Sequence, residues 1–298
     1  MNQPIIWLDG KFVPWNEANI HIMTHTLHYG SGAFEGIRCY DTDEGPAIFK
    51  LSEHVDRLLK SFSCFNVQCP WDKPTLEQAI IDTVKVNKFN NCYIRPLLFF
   101  GSESLLLSPK NLSVHCAIIA LDITSHGKRD NVTVGISPIR RINPQAVPIH
   151  NKINGYYVNS IFAFHKAQER GFDEALLLDH QGNIAEGSTV NVFFVIDSII
   201  KTPPSTSILP GITRASIQAI AQQVNIPIRE EILTVSDIDQ ATEAFFTGTL
   251  SEIIPIKKIE QKEFSITNNT ITQKIKSTYH DTVHGKDSSF KTWLTYII

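Results

Sequence analysis

The polar stretch Asp122 to Asp130, with Ser125, Gly127 and three charges near its end, separates two runs of strand- and helix-forming sequence and so calls for two cores rather than one. At 298 residues the chain also exceeds what one core usually supports. The expectation is an α/β protein of the α+β type: a smaller domain over residues 1–121, a linker over 122–131 and a larger domain over 132–298. Both domains should hold mixed, largely antiparallel sheets with flanking helices, and a cleft between domains is where a small ligand is expected.

The chain opens on β structure, because Ile5-Ile6-Trp7-Leu8 and Lys11-Phe12-Val13 flank Asp9-Gly10, a dipeptide suited to the positive φ of a two-residue hairpin turn. Val55, Leu58, Leu59 and Phe62 then recur at helical spacing, and a second helix is read from Leu76, Ala79, Ile80 and Val84 behind a capping box at Thr75 and Gln78. Strands follow over Cys92 to Phe99 and Val114 to Leu121, with Pro96 assigning the first to an edge or a bulge. Beyond Asp130, strands at Val132 to Ser137, Ala175 to Asp179 and Val190 to Val195 alternate with helices over about Tyr157 to Arg170 and after Pro210-Gly211.

Charge and cysteine content limit the partners. With 27 basic and 30 acidic residues and no long block of either sign, the net charge of −3 argues against nucleic acid or an anionic membrane. Five cysteines, all within the first 116 residues and without paired CxxC spacing, read as reduced thiols rather than disulfides or a metal site. No leader-like start and no apolar run near the ~18 residues of a membrane span is present, so the expected location is the cytoplasm.

Chemistry enters with Lys152, in Ile149-His150-Asn151-Lys152-Ile153-Asn154-Gly155-Tyr156-Tyr157, and with Glu186, which opens an otherwise apolar strand. An imine-forming lysine and a carboxylate able to pair a ring nitrogen suit pyridoxal phosphate. Leu209-Pro210-Gly211-Ile212-Thr213-Arg214 runs into a helix whose positive N-terminal end can take a phosphate, and Thr247-Gly248-Thr249-Leu250-Ser251 is a second polar turn able to grip an anion. Each feature alone is commonly a solvated lysine, a surface carboxylate or an ordinary turn. Their combination carries the reading.

His28-Tyr29-Gly30-Ser31-Gly32-Ala33-Phe34-Glu35-Gly36-Ile37-Arg38-Cys39-Tyr40, Glu186-Gly187-Ser188 and Leu209 to Arg214, in that order, resemble the branched-chain amino-acid aminotransferases of the class-IV pyridoxal phosphate family. The likeness runs from Ile6 to about Ile256 and weakens beyond. It implies a fold-type IV enzyme in which Lys152 carries the cofactor and moves the substrate proton, and Glu186 holds the pyridine nitrogen. It also implies that Tyr157 donates to the cofactor O3′ and that Arg57, Gly211, Ile212, Thr213 and Thr249 grip its phosphate.

For substrate the resemblance assigns Phe34, Gly36, Tyr29, Arg38, Tyr93, Arg95, Thr249 and Leu250. Apolar walls would take the side chains of L-leucine, L-isoleucine or L-valine, and Arg95 with tyrosine hydroxyls the second carboxylate of glutamate, the amino group passing to 2-oxoglutarate. Amino acids and 2-oxo acids are the implied small-molecule partners, no metal is implied, and the implied assembly is a homodimer or a hexamer of dimers, with Tyr29 and the Leu105 to Leu107 loop reaching a neighbour's site.

Two departures from the family pattern bear on this. After the Val114 strand the chain reads Leu121-Asp122-Ile123-Thr124-Ser125-His126-Gly127, without the tryptophan and tyrosine that roof the pocket in well-known bacterial relatives, so either His126 substitutes as a donor or the lid is looser. Ser188-Thr189-Val190-Asn191 is nearer to D-amino-acid aminotransferases, which with aminodeoxychorismate-type lyases and a non-catalytic ligand-binding relative make the alternatives.

Overall fold

A computed structural model describes residues 3–123, 130–268 and 270–297. The expected donor His126 and most of the expected linker lie outside the described residues. The chain divides into two compact units: Met1–His126 with Asn151–Tyr156 and Thr282–Ile298, and Gly127–His150 with Tyr157–Asp281. The Lys152 segment and the C-terminal segment thus group with the N-terminal part, where one linker had been expected to put both in the second domain. Long-range pairing is the reason: Ile153 bridges Ala33, and a C-terminal strand, Leu294–Tyr296, pairs with Ala47–Phe49.

In the first unit, β1 (Ile5–Leu8) and β2 (Lys11–Pro14) form the expected hairpin, with Asp9 at φ 49° and Gly10 at φ 89°. Next come α1 (His25–Tyr29), β3 (Gly32–Phe34), β4 (Ile37–Tyr40) and β5 (Ala47–Phe49). Helices α2 (Leu51–Ser63) and α3 (Lys73–Asn87) precede β6 (Cys92–Phe100) and β7 (Val114–Asp122). Among the described residues these strands and the C-terminal one make an antiparallel sheet ordered C-terminal strand, β5, β4, β6, β7, β1, β2, with β3 also on β6. Val55, Leu58, Phe62, Leu76, Ile80 and Val84 from the two helices are buried in its core. Helix α3 begins two residues before the expected capping box, because the Asp72 side chain accepts from Thr75 N and Pro74, lacking an N–H, is tolerated in the first turn.

Pro96 is not on an edge strand; β6 lies between β4 and β7. Its carbonyl accepts from Glu35 N at 2.9 Å, so its missing donor faces the same side, where the partner chain breaks between β3 and β4. The proline stands opposite residues 35 and 36, where β3 gives way to β4 without a change of register.

The second unit contains β8 (Val132–Ile136), α4 (Tyr157–Glu169), β9 (Glu174–Leu178), β10 (Ile184–Gly187) and β11 (Asn191–Ile196). It continues through β12 (Ile199–Thr202), α5 (Ile212–Gln223), β13 (Ile228–Glu230), α6 (Asp237–Gln240), β14 (Glu243–Gly248), β15 (Glu252–Ile259), β16 (Lys262–Glu263) and α7 (Ile271–Val283), whose last residues belong to the first unit. The sheet runs β10, β9, β8, β15, β14, β11, β12, β13, with β16 on β15. Its pairings are antiparallel except β8 with β9, β8 with β15 and β12 with β13, which makes the sheet mixed. Glu186 does not open the strand carrying Val192: it stands near the end of β10, after a register shift between Ile184 and Glu186, and a turn separates it from β11.

Candidate active site

In the first unit, backbone contacts hold the Lys152 segment. Lys152 N donates to Ser61 Oγ at 2.9 Å, its carbonyl accepts from Phe34 N at 3.2 Å, and Gly155 N donates to Gly30 O at 3.0 Å. Gly30 has φ +63°, and a Cβ there would stand 2.5 Å from Gly155 Cα, so the close approach excludes any larger residue. The Lys152 ammonium sits 4.9 Å from the Phe34 ring centroid.

Around that ring gather several residues assigned from sequence. The Arg95 guanidinium lies 4.7 Å from the Phe34 centroid and 5.2 Å from that of Tyr93, and Arg95 Nη2 donates to the Tyr93 hydroxyl at 2.7 Å. Positions 93 and 95 share one face of β6, as their spacing requires. A Cβ on Gly36 would meet the Tyr93 hydroxyl at 2.2 Å, so glycine leaves room for that phenol. Arg38 pairs with Tyr93 in register, but its guanidinium stacks over Tyr40 at 4.5 Å and donates to Asn91 Oδ1 at 2.9 Å. Tyr29 stands on the surface, its hydroxyl donating to Leu105 O at 2.8 Å.

Beneath this group is an arrangement that sequence reasoning missed. Glu35 is fully buried and accepts from Arg57 Nε and Nη2, from His54 Nδ1 at 2.7 Å and from Gly36 N at 3.2 Å. His54, Arg57 and Ser61 share the inner face of α2 at helical spacing, and this row of polar residues among apolar ones was the available signal. Burial works to raise the Glu35 carboxyl's pKa, but the charges of Arg57 and His54 and their hydrogen bonds outweigh it and hold the group well below the usual carboxylate range. For His54 burial lowers the pKa against the opposing pull of Glu35, with Arg57 and Lys152 adding to the fall, while Nδ1 donates to the Glu35 carboxylate.

Both shifts have the same consequence for stability. His54 binds its proton more readily unfolded than folded, so acidification costs stability from its unfolded pKa of about 6.5 downwards. Glu35 contributes stability present above its unfolded pKa of about 4.3 and lost as pH falls further. Thermal melts should be flat near pH 8, decline below about 6.5 through His54 and lose the Glu35 contribution below about 4.3, with a limiting slope of about 1.4 kcal/mol per pH unit per proton. A His54→Gln variant should lose the first part of the decline; an unchanged profile in that variant would exclude His54 as its source.

In the second unit, Glu186 is 6% exposed and ion-paired to Arg141, whose Nε donates to Oε1. Its Oε2 accepts from Asn191 Nδ2 at 3.1 Å and from Leu209 N at 3.3 Å. Asn191 also donates to Leu209 O at 3.1 Å, and a Cβ on Gly211 would collide with Asn191 Oδ1 at 2.0 Å. Gly211 caps α5 with no side-chain hydrogen bond, so Ile212 and the buried Thr213 begin a helix whose first amides lack a side-chain partner. Opposite Asn191 on β14 is Thr247, whose buried Oγ1 has no hydrogen-bond partner among the described residues. Thr249 is half-buried and Leu250 exposed in the turn that follows, and Tyr157 opens α4 beside a cavity lined by Ser160, His165, Glu174 and Ser188. Arg141 and Asn191 were not foreseen; Arg141 meets Glu186 across 45 residues of sequence, with no local pattern to mark it.

The family model for amino-transferase class IV matches residues 32–259. The chain belongs to the class-IV aminotransferases. This aminotransferase is 38% identical to the branched-chain-amino-acid aminotransferase of Pseudomonas aeruginosa over 98% of its own length and 97% of that protein's. The solved structure of the Thermoproteus uzoniensis branched-chain aminotransferase with norvaline superposes at a TM-score of 0.94, with 36% identity over 99% of each chain. That of the Thermobaculum terrenum branched-chain amino acid aminotransferase in its PLP-form gives 0.91, with 28% identity over 99% of each. These neighbours share the fold-type IV architecture, and the mixed α/β class expected from the sequence holds.

Proposed function

We propose that this aminotransferase reversibly transfers the amino group of L-leucine, L-isoleucine or L-valine to 2-oxoglutarate, giving the branched 2-oxo acid and L-glutamate, with pyridoxal phosphate attached at Lys152. The observation that carries the reading is the setting of Lys152, pinned at both its backbone N–H and carbonyl with its ammonium against the Phe34 ring. The second unit suits the cofactor: a helix start without a side-chain cap and the Thr247 hydroxyl, without a partner among the described residues, favour an anion, bare backbone at Gly211 allows close approach, and the Glu186 carboxylate accepts an N–H.

Pyridoxal phosphate, when bound, supplies the carbonyl that takes the amino group and a ring that takes up electron density from the substrate Cα. Lys152 Nζ would carry the cofactor and, once displaced, would take the proton from the substrate Cα as general base and deliver it to the cofactor carbon as general acid. Glu186, held by Arg141 and Asn191, keeps a proton on the ring nitrogen, and Tyr157 donates to O3′. Gly211, Ile212, Thr213 and Thr249, with Arg57, hold the phosphate. Phe34 and the Tyr93 ring form apolar wall, and Arg95, already bonded to the Tyr93 hydroxyl, is the cation for the second carboxylate of glutamate.

Assembly as a homodimer or hexamer of dimers is part of the proposal, supported by exposed Ile22, Leu27, Tyr29, Leu106 and Leu107 on the first unit. The thiols of Cys39, Cys64, Cys69, Cys92 and Cys116 are free, in keeping with a reducing cytoplasm. No helix among the described residues is long and apolar enough to cross a membrane. A steady-state screen of L-leucine, L-isoleucine, L-valine, L-glutamate and D-alanine, each with a matching 2-oxo acid, tests the substrate assignment. Activity on the L-branched donors is expected, and activity on D-alanine alone would transfer the enzyme to the D-specific group.

A further inference from the structure

Glu35 is 0% exposed, and a buried carboxylate is a poor way to stabilise a core, since desolvation offsets most of its attraction to a partner and an apolar residue packs at least as well. Its cost calls for another explanation, and its contacts give one. Two of the five N–H groups of Arg57, on Nε and Nη2, are committed to the two oxygens of Glu35, a bidentate grip that fixes the plane of the guanidinium as well as its position. His54 Nδ1 donates to the same carboxylate at 2.7 Å and stops it rotating. The backbone N of Glu35 is tied to Pro96 O at 2.9 Å, and its chain neighbours are Phe34 and Gly36, against the Tyr93 and Arg95 group.

We propose that Glu35 is a positioning residue that acts through Arg57, presenting its fork to the phosphate of the cofactor and setting that grip in register with the substrate pocket through the 34–36 strand break. This rests on the functional reading above, in which Arg57 holds the phosphate. A lone arginine on a helix samples many rotamers; one clamped through Nε and Nη2 to a residue of the pocket strand does not. The Arg57 part of the phosphate grip and the substrate pocket are therefore built on one unit, in which a shift of Glu35 moves both.

The test compares pyridoxal phosphate with pyridoxal, which lacks only the phosphate, binding to the cofactor-stripped full-length protein by absorbance titration. Glu35→Gln should raise the Kd of pyridoxal phosphate by roughly 10-fold, within the range of coupled neighbouring residues, and leave that of pyridoxal unchanged. In an Arg57→Ala background the same change should have no further effect. Equal weakening of both ligands, or an undiminished effect without Arg57, would overturn the proposal and make Glu35 merely structural. Should Glu35→Gln fail to fold, Arg57→Lys serves: it keeps the charge but loses the fork, so it should lose the phosphate preference, and affinity equal to the parent's would refute the role of the clamp. A parent protein that binds pyridoxal but gains nothing from the phosphate overturns the positioning claim alone, whereas one that binds neither ligand takes the functional reading with it.

Discussion

Replacing Lys152 with alanine lowers kcat by about 10⁴-fold or more, the combined scale of a proton-transferring group and a covalent attachment point. Folding should survive, because the contacts that place residue 152 are made by its backbone: N to Ser61 Oγ and carbonyl to Phe34 N. Cofactor retention should be weakened rather than lost, since the residues assigned to phosphate and ring remain. Turnover of L-leucine with 2-oxoglutarate, read with hydride trapping and peptide mapping, decides it. An adduct mapped to another lysine, or a variant as active as its parent, would remove Lys152 from the chemistry.

The second large effect is expected at Glu186→Gln, with kcat reduced by about 10²-fold or more, the scale seen when one electrostatic stabiliser is removed from a water-excluded site. Glutamine preserves the shape but not the charge, and it turns an NH₂ group towards one of the donors that the carboxylate now accepts. Arg141, 9% exposed at its side chain, would be left beside a neutral amide, so some loss of stability accompanies the loss of rate. Pairing Glu186→Gln with Arg141→Met separates the two: the double variant should recover melting temperature and stay slow. If it recovers rate as well, the carboxylate serves only to neutralise Arg141.

What was legible in the sequence followed from local physics. The Asp9-Gly10 turn dictated the first hairpin through its positive φ values, and the face of α2 that packs on the sheet was visible in Val55, Leu58 and Phe62. The Pro210-Gly211 pair likewise marked the start of α5. Contacts between residues distant in sequence stayed hidden: Glu35 meets Arg57 across 22 positions and Arg141 meets Glu186 across 45, and periodicity carries no information about such pairs. Pro96 shows how a correct local rule led to the wrong place. Its missing N–H does demand an unpaired position, but that position lies inside the sheet, opposite the residues where β3 gives way to β4 in unchanged register, rather than at an edge or a bulge.

The C-terminal strand Leu294–Tyr296 lies against β5, formed from residues that leave the ribosome some 250 positions earlier. The edge of β5 therefore waits for its neighbour while the intervening sequence assembles its own sheet. Closure of the N-terminal core depends on a distant segment, and a chain lacking Leu294–Tyr296 would leave the edge of β5 bare in the unit that holds Lys152.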